Sequence, residues 1–283
     1  MTEARSPAHA TLFVRPVDSP DIYSKGSEGA GARLSLGARA VVHERTGGTR
    51  VFIDGEESEA RVTRRALELA APGMAFEAHI ENDLPVGQGF GMSAAGAVAA
   101  ALCAAELSGR GRREAFLAAH AADIEGGGGL GDVAGIMCEA HQPTRVSAGI
   151  PGRAVDRGIS LPVASVAVLG PKVSTAAALG DARRHGLFRE RGAEALAAFM
   201  SAPASIDSLF DAANAFSSSS GAESAEVSEA IGRLRRLGVR SAACLLGSSV
   251  IALAPAGEVE GALGVPAIPA PTTAEPARVT RRA

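Results

Sequence analysis

Cysteine is scarce in this sequence, with three thiols in 283 residues, at Cys103, Cys138 and Cys244. Their number is odd, and no two of them have the CxxC spacing of a zinc or redox site. These features exclude a disulfide-stapled scaffold and give no sign of a cysteine-held metal. We expect three reduced, mostly buried thiols, as in cytoplasmic proteins.

The sequence also lacks an excess of one charge and a long apolar run. The formal net charge is -3, with residues of both signs scattered along the chain, so composition gives no electrostatic case for binding nucleic acid or an anionic membrane. No segment reaches the roughly 18 apolar residues of a membrane span. Residues 1–13 lack the apolar core of a signal peptide. We therefore predict a cytoplasmic protein whose partner is a small molecule.

Strand and helix patterns alternate along the chain, which predicts a mixed α+β fold with a lobe boundary near residues 150–160. After an irregular segment at 19–32, two strands are predicted to form a hairpin around Thr46-Gly47-Gly48. The proline- and alanine-rich tail from Pro266 is predicted to be loosely ordered. Helices are predicted at 57–71, 93–108, 112–124 and, for the most part, 174–236, with a strand at 74–83 and paired strands at 241–247 and 249–255.

The stretch LPVGQGFGMSAAGAVAAAL, residues 84–102, contains four glycines and no charged residue. Gly87, Gly89 and Gly91 allow positive φ and leave no Cβ in the way of a ligand. The following helix begins near Met92 or Ser93, and its unpaired amides and positive dipole end favour a bound phosphate. Ser93 has two interpretations, as a cap of those amides or as a ligand of a phosphate or its metal ion.

Other interpretations of this stretch exist. A glycine-rich turn with a serine cap needs no ligand, and it stays open. The Gly-Lys-Ser/Thr ending of a Walker A loop is absent. GFGMSA satisfies a loose dinucleotide pattern, but Pro85 interrupts the strand before it and the region about 20 residues on is helical. A hydrolase nucleophile elbow needs glycine where Ala95 stands.

The segment from Pro85 to Ala95 resembles the second motif of the GHMP kinase superfamily, P-x-x-x-G-L-G-S-S-A-A. Phe90 replaces the usual leucine and Met92 the first serine, whereas Ser93 retains the second serine. The resemblance implies ATP and magnesium as cofactors and assigns nucleotide contacts to one run of residues. They are Pro85, Gly87, Gln88, Gly89, Phe90, Gly91, Met92, Ser93 and Ala94.

Further segments are similar to the same superfamily. Residues 6–9, Ser-Pro-Ala-His, resemble the A-P-G-[RKH] motif, and residues 125–135, EGGGGLGDVAG, resemble the segment of the catalytic aspartate, here Asp132. CLLGSSVIAL, residues 244–253, is a weak third match. Together with GSEGAGARLSLG, residues 26–37, the motifs are similar to the archaeal-type pantoate kinase branch of the superfamily.

The resemblance implies ATP-dependent phosphorylation of the primary hydroxyl of pantoate in coenzyme A biosynthesis, by a homodimer. Alternatives are another small-molecule kinase of the homoserine or mevalonate type, or a metabolite-binding relative without activity. The implied fold has a ribosomal S5 domain 2-like lobe over 1–158, a ferredoxin-like lobe over 159–265 and a tail over 266–283.

The same resemblance assigns roles to individual residues. Asp132 and Ser93 are the candidate catalytic residues, although a helix cap is an equal local interpretation of Asp132. Ser93 and Asp123 are the candidate metal ligands, with Glu125 as the alternative acid and His120 on the same helix face as Asp123. The candidate acceptor-binding residues include two cations suited to a carboxylate. They are His9, Lys25, Ser27, Gly29, Arg33 and Asp132, with Arg153 and Lys172 as further candidate cations.

Overall fold

Two long antiparallel strands, β1 (Thr2–Val17) and β2 (Gly26–Glu44), form the centre of the larger sheet. The structure is a computed structural model that describes residues 1–173 and 180–282. The sheet also contains β3 (Arg50–Ile53), β4 (Glu56–Ser58), β5 (Phe76–Asn82), β6 (Pro143–Arg145), β7 (Ala154–Asp156) and β12 (Arg278–Arg281). The strand order is β12-β1-β2-β5-β3-β4, with β6 paired to β2 and β7 paired to β6.

Four helices accompany this sheet: α1 (Arg61–Ala70), α2 (Met92–Leu107), α3 (Arg112–Glu125) and α4 (Asp132–Met137). Helix α2 is buried on nearly every side, because its residues are small or apolar up to Glu106 and contact β1, β2, α1 and α3. The predicted buried helix is therefore confirmed. Across the two described ranges, no helix combines the length and apolar character needed to cross a membrane.

A smaller sheet lies in the second half of the chain, in the order β11-β8-β10-β9. Its strands are β8 (Ser165–Val168), β9 (Ser241–Cys244), β10 (Ser249–Ala252) and β11 (Ala267–Pro269). The described residues of this half include the helices α5 (Ala182–Ser201), α6 (Ile206–Ser220), α7 (Ala225–Arg236) and α8 (Ala256–Leu263). The predicted α+β class and the paired strands β9 and β10 are confirmed, and the thiols are free. Residues 174–179 of the predicted helical stretch lie outside the described residues.

The hairpin predicted around Thr46-Gly47-Gly48 is wrong. Strand β5 lies between β2 and β3, so that β2 pairs with β5 and β3 runs parallel to β5. The actual hairpin joins β3 to β4 through Asp54 and Gly55, whose φ angles of 52° and 88° fit the primed turns of two-residue loops. Part of the segment predicted to be irregular, from Gly26 onward, also belongs to β2.

The prediction of a loosely ordered tail is wrong for residues 267–281. Strand β11 pairs with β8 in the smaller sheet, and β12 pairs with the start of β1 in the larger one. Between them, Thr273 donates its backbone N–H to Arg33, and the side chain of Arg33 donates to the carbonyl of Glu275. The composition suggested disorder, but specific backbone hydrogen bonds to both sheets order the segment.

Helix α5 packs against β1 through one glycine, which leads to a stability prediction. A Cβ at Gly192 would overlap the carbonyl group of Val14, whereas a Cβ at Gly186, in the same helix, would meet nothing. We expect Gly192→Ala to destabilise the protein by about 1–3 kcal/mol through overpacking. Gly186→Ala should stabilise it by about 0.5–1 kcal/mol, because alanine favours the helix. Urea unfolding of both variants checks this, and equal midpoints would contradict the packing.

Candidate active site

The glycine stretch forms a tight loop that ends at the first residue of α2. Gly87, Gly89 and Gly91 have φ angles of 82°, 80° and 62°, which confirms the predicted left-handed backbone. A Cβ at Gly89 would overlap the carbonyl of Cys244. The loop is therefore packed directly against the end of β9 and the turn that follows it, in the segment 244–253 that is the weak third match.

The first turn of α2 leaves its polar groups available. Its N-cap is Gly91, and no side chain caps the helix. The first amides of the helix, at residues 92–94, have no partner within the helix. Ser93 is exposed and does not act as the cap. Both the amides and the hydroxyl of Ser93 are thus free to meet an anion.

A cavity of about 250 Å³ opens beside this helix end. The glycine loop forms one wall, the run of glycines between α3 and α4 another, and the turn between β9 and β10 a third. It brings together Ser93, Asp123 and Asp132, which are distant in sequence. The lining residues are Thr11, Val14, Val62, Gly87, Gly89, Gly91, Met92, Ser93, Ala94, Asp123, Gly126, Gly127, Gly128, Gly129, Leu130, Asp132, Leu245 and Leu246.

Asp132 is held by one of its two carboxylate oxygens. Its Oδ1 lies 2.8 Å from His9 Nδ1 and accepts from Thr11 Oγ1 at 3.0 Å. Oδ2 lies against Gly129, where a Cβ would overlap it. Burial alone would raise the pKa of Asp132, but the hydrogen bond from His9, the charge of Arg145 and the hydrogen bond from Thr11 bring the pKa below its ordinary value. Asp132 is thus an anchored carboxylate with one oxygen free of protein donors among the described residues.

His9 connects Asp132 to a buried arginine. The ring is fully buried, and its Nε2 lies 3.2 Å from Arg145 Nη1. Arg145 is itself buried, and its Nε donates to the carbonyl of Ser27 at 3.4 Å. Burial lowers the pKa of His9, and although the bond to Asp132 opposes this shift, the charge of Arg145 adds to it. His9 is therefore neutral at pH 7.

Asp123 is the second carboxylate of the cavity, and it has a different environment. It is only 2% exposed, and its carboxylate accepts no hydrogen bond from the residues in the described ranges. Burial, with repulsion from Asp132, raises the pKa of Asp123 to about 8. A bare buried carboxylate beside an exposed serine hydroxyl and free amides fits a divalent cation that also binds phosphate. Residues 1–173 and 180–282 contain no group of three or more potential metal-binding side chains, so protein ligands alone would not complete such a site.

Comparison with known proteins shows what this chain resembles. Residues 60–140 match the model of the GHMP kinase N-terminal domain. A pantoate kinase of Thermococcus kodakarensis is 35% identical over 157 residues, which are 52% of this chain and 52% of that protein. The match thus spans about half the length of that relative.

Solved structures show the same two-lobed GHMP kinase fold over the whole chain, as predicted. One described as a "phosphotransferase related to CoA biosynthesis pathway" is 28% identical, with a TM-score of 0.87 over 99% of this chain and 98% of its own. A mevalonate-3-kinase from Thermoplasma acidophilum is 13% identical, with a TM-score of 0.70 over 100% of this chain and 99% of its own. The second likeness shows the fold alone.

Several residues that the GHMP kinase resemblance assigned to acceptor binding lie elsewhere. Lys25 is partly exposed, 3.9 Å from Asp18, and does not line the cavity. The guanidinium of Arg33 donates to the carbonyls of Ala140 and Glu275, so it supports the C-terminal segment instead of meeting a carboxylate. Gly29 has φ 134° where β2 passes close to Phe13.

The alternative residues near the metal site are also away from the cavity. Glu125 pairs with Arg65 on the surface, with an Oε2 to Nε distance of 2.6 Å. His120 is buried and donates from Nε2 to the carbonyls of Ile22 and Lys25, at 3.1 Å each. Both residues thus have structural partners, and of the two acids only Asp123 faces the cavity.

Three residues of the predicted nucleotide motif do not line the cavity, and two of them support the loop from outside it. Gln88 is buried, donates to the carbonyl of Gly170 and accepts from the backbone N–H of Ser248. Phe90 is a core side chain whose carbonyl accepts from the N–H of His9. Pro85 is exposed and does not line the cavity.

The sequence did not reveal two polar residues of this site. Thr11 follows His9 at the two-residue spacing that places side chains on one face of a strand, which is a signal that was present. Arg145 lies in the short strand β6 and belongs to none of the sequence motifs. It reaches the site because β6 pairs with Gly29 and Ala30 of β2. That long-range pairing has no local signature.

Proposed function

We propose that this GHMP kinase transfers the γ-phosphoryl group of ATP to the primary hydroxyl of pantoate, giving 4-phosphopantoate for coenzyme A biosynthesis. The similarity to a pantoate kinase over half the chain and to the coenzyme A-related phosphotransferase over its whole length supports the reaction. One observation carries the choice of a hydroxy acid over a neutral alcohol. This observation is a buried arginine that lies beside the proposed catalytic aspartate. The arginine forms no ion pair with a carboxylate of the described residues.

That arginine is Arg145. It is 1% exposed, and within residues 1–173 and 180–282 its Nη2 has no hydrogen-bond partner and no carboxylate forms an ion pair with it. Burial lowers the pKa of Arg145 to about 10, so the group is still charged at neutral pH. A buried charge without a partner is costly. A carboxylate on the acceptor would supply that partner.

A second unpaired group lies beside it. Ser27 is 1% exposed, and its hydroxyl also lacks a hydrogen-bond partner among the residues that the structure describes. A Cβ at Gly131 would overlap Ser27 Oγ and lie 2.7 Å from Arg145 Nε, so both groups border the residue before Asp132. Arg145 also lines a small cavity of about 170 Å³ with Ser147 and Arg153. We assign the acceptor carboxylate to Arg145 and Ser27.

The nucleotide is assigned to the glycine loop and the space next to it. The free amides at the start of α2 would hold the phosphates. A neighbouring pocket of about 350 Å³ shares Val62, Met92 and Ser93 with the main cavity and would accept the nucleoside. Asn82 lines this pocket, and its buried Oδ1 accepts no hydrogen bond from the described part of the chain, which suits the amino group of adenine.

The residues of the cavity would have separate roles in phosphoryl transfer. This reaction depends mainly on positioning and on neutralising spreading negative charge. Magnesium, which would be held by Ser93, Asp123 and the phosphates, supplies part of that neutralisation. Asp132 Oδ2 would accept the hydroxyl proton of pantoate, while Oδ1 keeps the carboxylate fixed. The glycines around Asp123 and Asp132 allow both carboxylates to approach the backbone of one loop.

The acceptor assignment predicts a specific pattern of activity. Among pantoate, homoserine, mevalonate and a sugar, we expect ATP-dependent turnover of pantoate to exceed the others by at least about tenfold in kcat/KM. Pantoamide, which lacks the carboxylate, should be a poor acceptor, since charge-assisted hydrogen bonds contribute about 1.5–3 kcal/mol. A coupled assay of ADP release measures this. Equal use of pantoate and pantoamide would contradict the role of Arg145.

Two arginine variants serve as matched controls. Arg145→Met should raise the KM for pantoate by about 10–100-fold and remove the preference over pantoamide. Arg153 lines the same small cavity but is exposed, so Arg153→Met should change KM by less than about threefold. The opposite result would indicate that Arg153, and not Arg145, binds the carboxylate of the acceptor.

We also propose a homodimer in the cytoplasm, on the basis of the resemblance alone. Sedimentation equilibrium of the purified chain tests the dimer, and fractionation of cells tests the location. A monomer at micromolar concentration would contradict the first assignment.

A further inference from the structure

The ring of His9 lies in a socket that fixes its plane. Gly31 of β2 and Gly135 of α4 approach the ring, and a Cβ at either position would overlap His9 Nε2. The side chain has no solvent-exposed surface. A ring clamped between two backbones cannot turn to present other atoms. Its two nitrogens therefore keep the partners they have, Asp132 and Arg145.

The partners of the ring determine where its proton lies. Arginine is always a donor, so the 3.2 Å contact from Arg145 Nη1 requires an unprotonated, accepting Nε2 on His9. The single proton of the neutral ring must then be on Nδ1, which donates to Asp132 Oδ1 at 2.8 Å. Thr11 donates to the same oxygen at 3.0 Å. The chain Arg145–His9–Asp132 has only one consistent arrangement of hydrogens.

We propose that His9 is a positioning residue, held by Arg145 in the Nδ1–H tautomer so that Asp132 is anchored through Oδ1 and presents Oδ2 to the acceptor hydroxyl. The inference rests on the proposed function, since it gives Asp132 its role there. It also replaces the sequence-based expectation that His9 binds the acceptor. A fully buried ring with both nitrogens occupied has no atom left for a substrate.

The tautomer can be observed without any substrate. In two-bond ¹⁵N–¹H correlation spectra of the histidine-labelled protein, His9 should show a protonated Nδ1 and an unprotonated Nε2. His120 provides an internal reference of the opposite kind, because its Nε2 faces two carbonyl oxygens and must carry the proton. Loss of one signal in His9→Asn identifies His9. An Nε2–H or averaged signal for His9 would overturn the proposal.

Kinetics separate positioning from substrate binding. His9→Ala should lower kcat by about 10²-fold, the effect of a misplaced catalytic group, with KM changed by less than about threefold. His9→Asn, whose amide N–H can replace Nδ1–H, should recover at least about tenfold of that loss. His79→Ala, a change at an exposed histidine, is the control and should leave kcat unaltered.

The outcomes are distinct from those of the proposed function. A rise in KM with unchanged kcat, or no recovery in His9→Asn, would overturn the positioning role. If His9→Ala does not fold, the asparagine variant and the tautomer signal still decide the question. If the wild-type protein phosphorylates none of the acceptors, the proposed function fails, whereas the tautomer is still observed in the free protein.

Discussion

Asp132→Asn is expected to lower kcat by about 10²- to 10⁴-fold, the usual range for removal of a general base. In the variant, the amide oxygen can still accept from His9 and Thr11, but the amide nitrogen takes the place of Oδ2. That nitrogen is a donor and cannot accept the hydroxyl proton of the acceptor. The KM values should change little, because the nucleotide loop and Arg145 are untouched. Steady-state ADP release against pantoate concentration gives both constants.

Two controls make this result interpretable. Nucleotide affinity, measured by calorimetry without acceptor, should stay within about threefold of the wild type. The urea midpoint should also be retained or fall slightly, since asparagine loses the longer-range attraction between the Asp132 charge and Arg145. Turnover close to the wild-type value would show that Asp132 has no part in the chemistry. The remaining interpretation of Asp132 would then be structural.

The nucleotide side of the site could be predicted because its signal is local. Glycines at every second position before an uncharged helix indicate a left-handed backbone and a free helix end, and Gly87, Gly89 and Gly91 have that conformation. The same stretch contributes residues on both sides of Ser93 to the lining of the cavity. Asp132 required the family resemblance, because a helix cap is an equal interpretation of an aspartate after glycine. In the structure, Gly131 is the cap and Asp132 has other partners.

The acceptor side could not be predicted because it depends on distant pairing. Sequence alone favoured Lys25 and Arg33 as cations near a glycine-rich segment. That segment is instead the first part of β2, where Arg33 supports the C-terminal tail. The buried cation of the site, Arg145, enters through β6, about 115 residues away from the β2 residues with which it pairs. Composition cannot distinguish such an arginine from the many on the surface.

The same limitation explains the errors in the fold. The sequence does not show that β5 inserts between β2 and β3, although Asp54-Gly55 carries the stronger two-residue turn signal. The tail has prolines, but it finds free edges of two sheets at β8 and β1. Helix positions, by contrast, depend on neighbouring residues, and α2 and α3 lie within one residue of their predicted bounds.

Asp123→Asn is expected to have opposite effects on activity and stability. The substitution removes the charged protein ligand that we propose for magnesium. Because a metal ion stabilises the transition state by several kcal/mol, kcat/KM should fall by about 10²- to 10³-fold. The magnesium concentration needed for half-maximal rate should rise. Glu125→Gln is the matched control, because Glu125 pairs with Arg65 outside the cavity. It should retain activity within about twofold.

The stability effect follows from the burial of Asp123. Its pKa in the folded protein is raised from 3.8 to about 8, so the folded state holds a proton that the unfolded state loses from about pH 4 upward. Stability from this group therefore falls as pH rises through that window, and the loss is complete above about pH 8. Asparagine cannot ionise. In metal-free buffer at pH 8, the variant should be more stable than the wild type by about 2–4 kcal/mol, with little difference near pH 4.

Urea unfolding with EDTA at pH 4 and pH 8 measures this difference, and magnesium with nucleotide should reverse it by stabilising the wild type more. A less stable variant at pH 8 would show that the Asp123 carboxylate has favourable protein partners, which would contradict its proposed role as an unpaired cation ligand. Retained activity would remove Asp123 from the metal site. A carboxylate that destabilises the free protein and is needed for turnover is best explained by a ligand that neutralises it, because residues 1–173 and 180–282 provide no cation or hydrogen-bond donor to the Asp123 carboxylate.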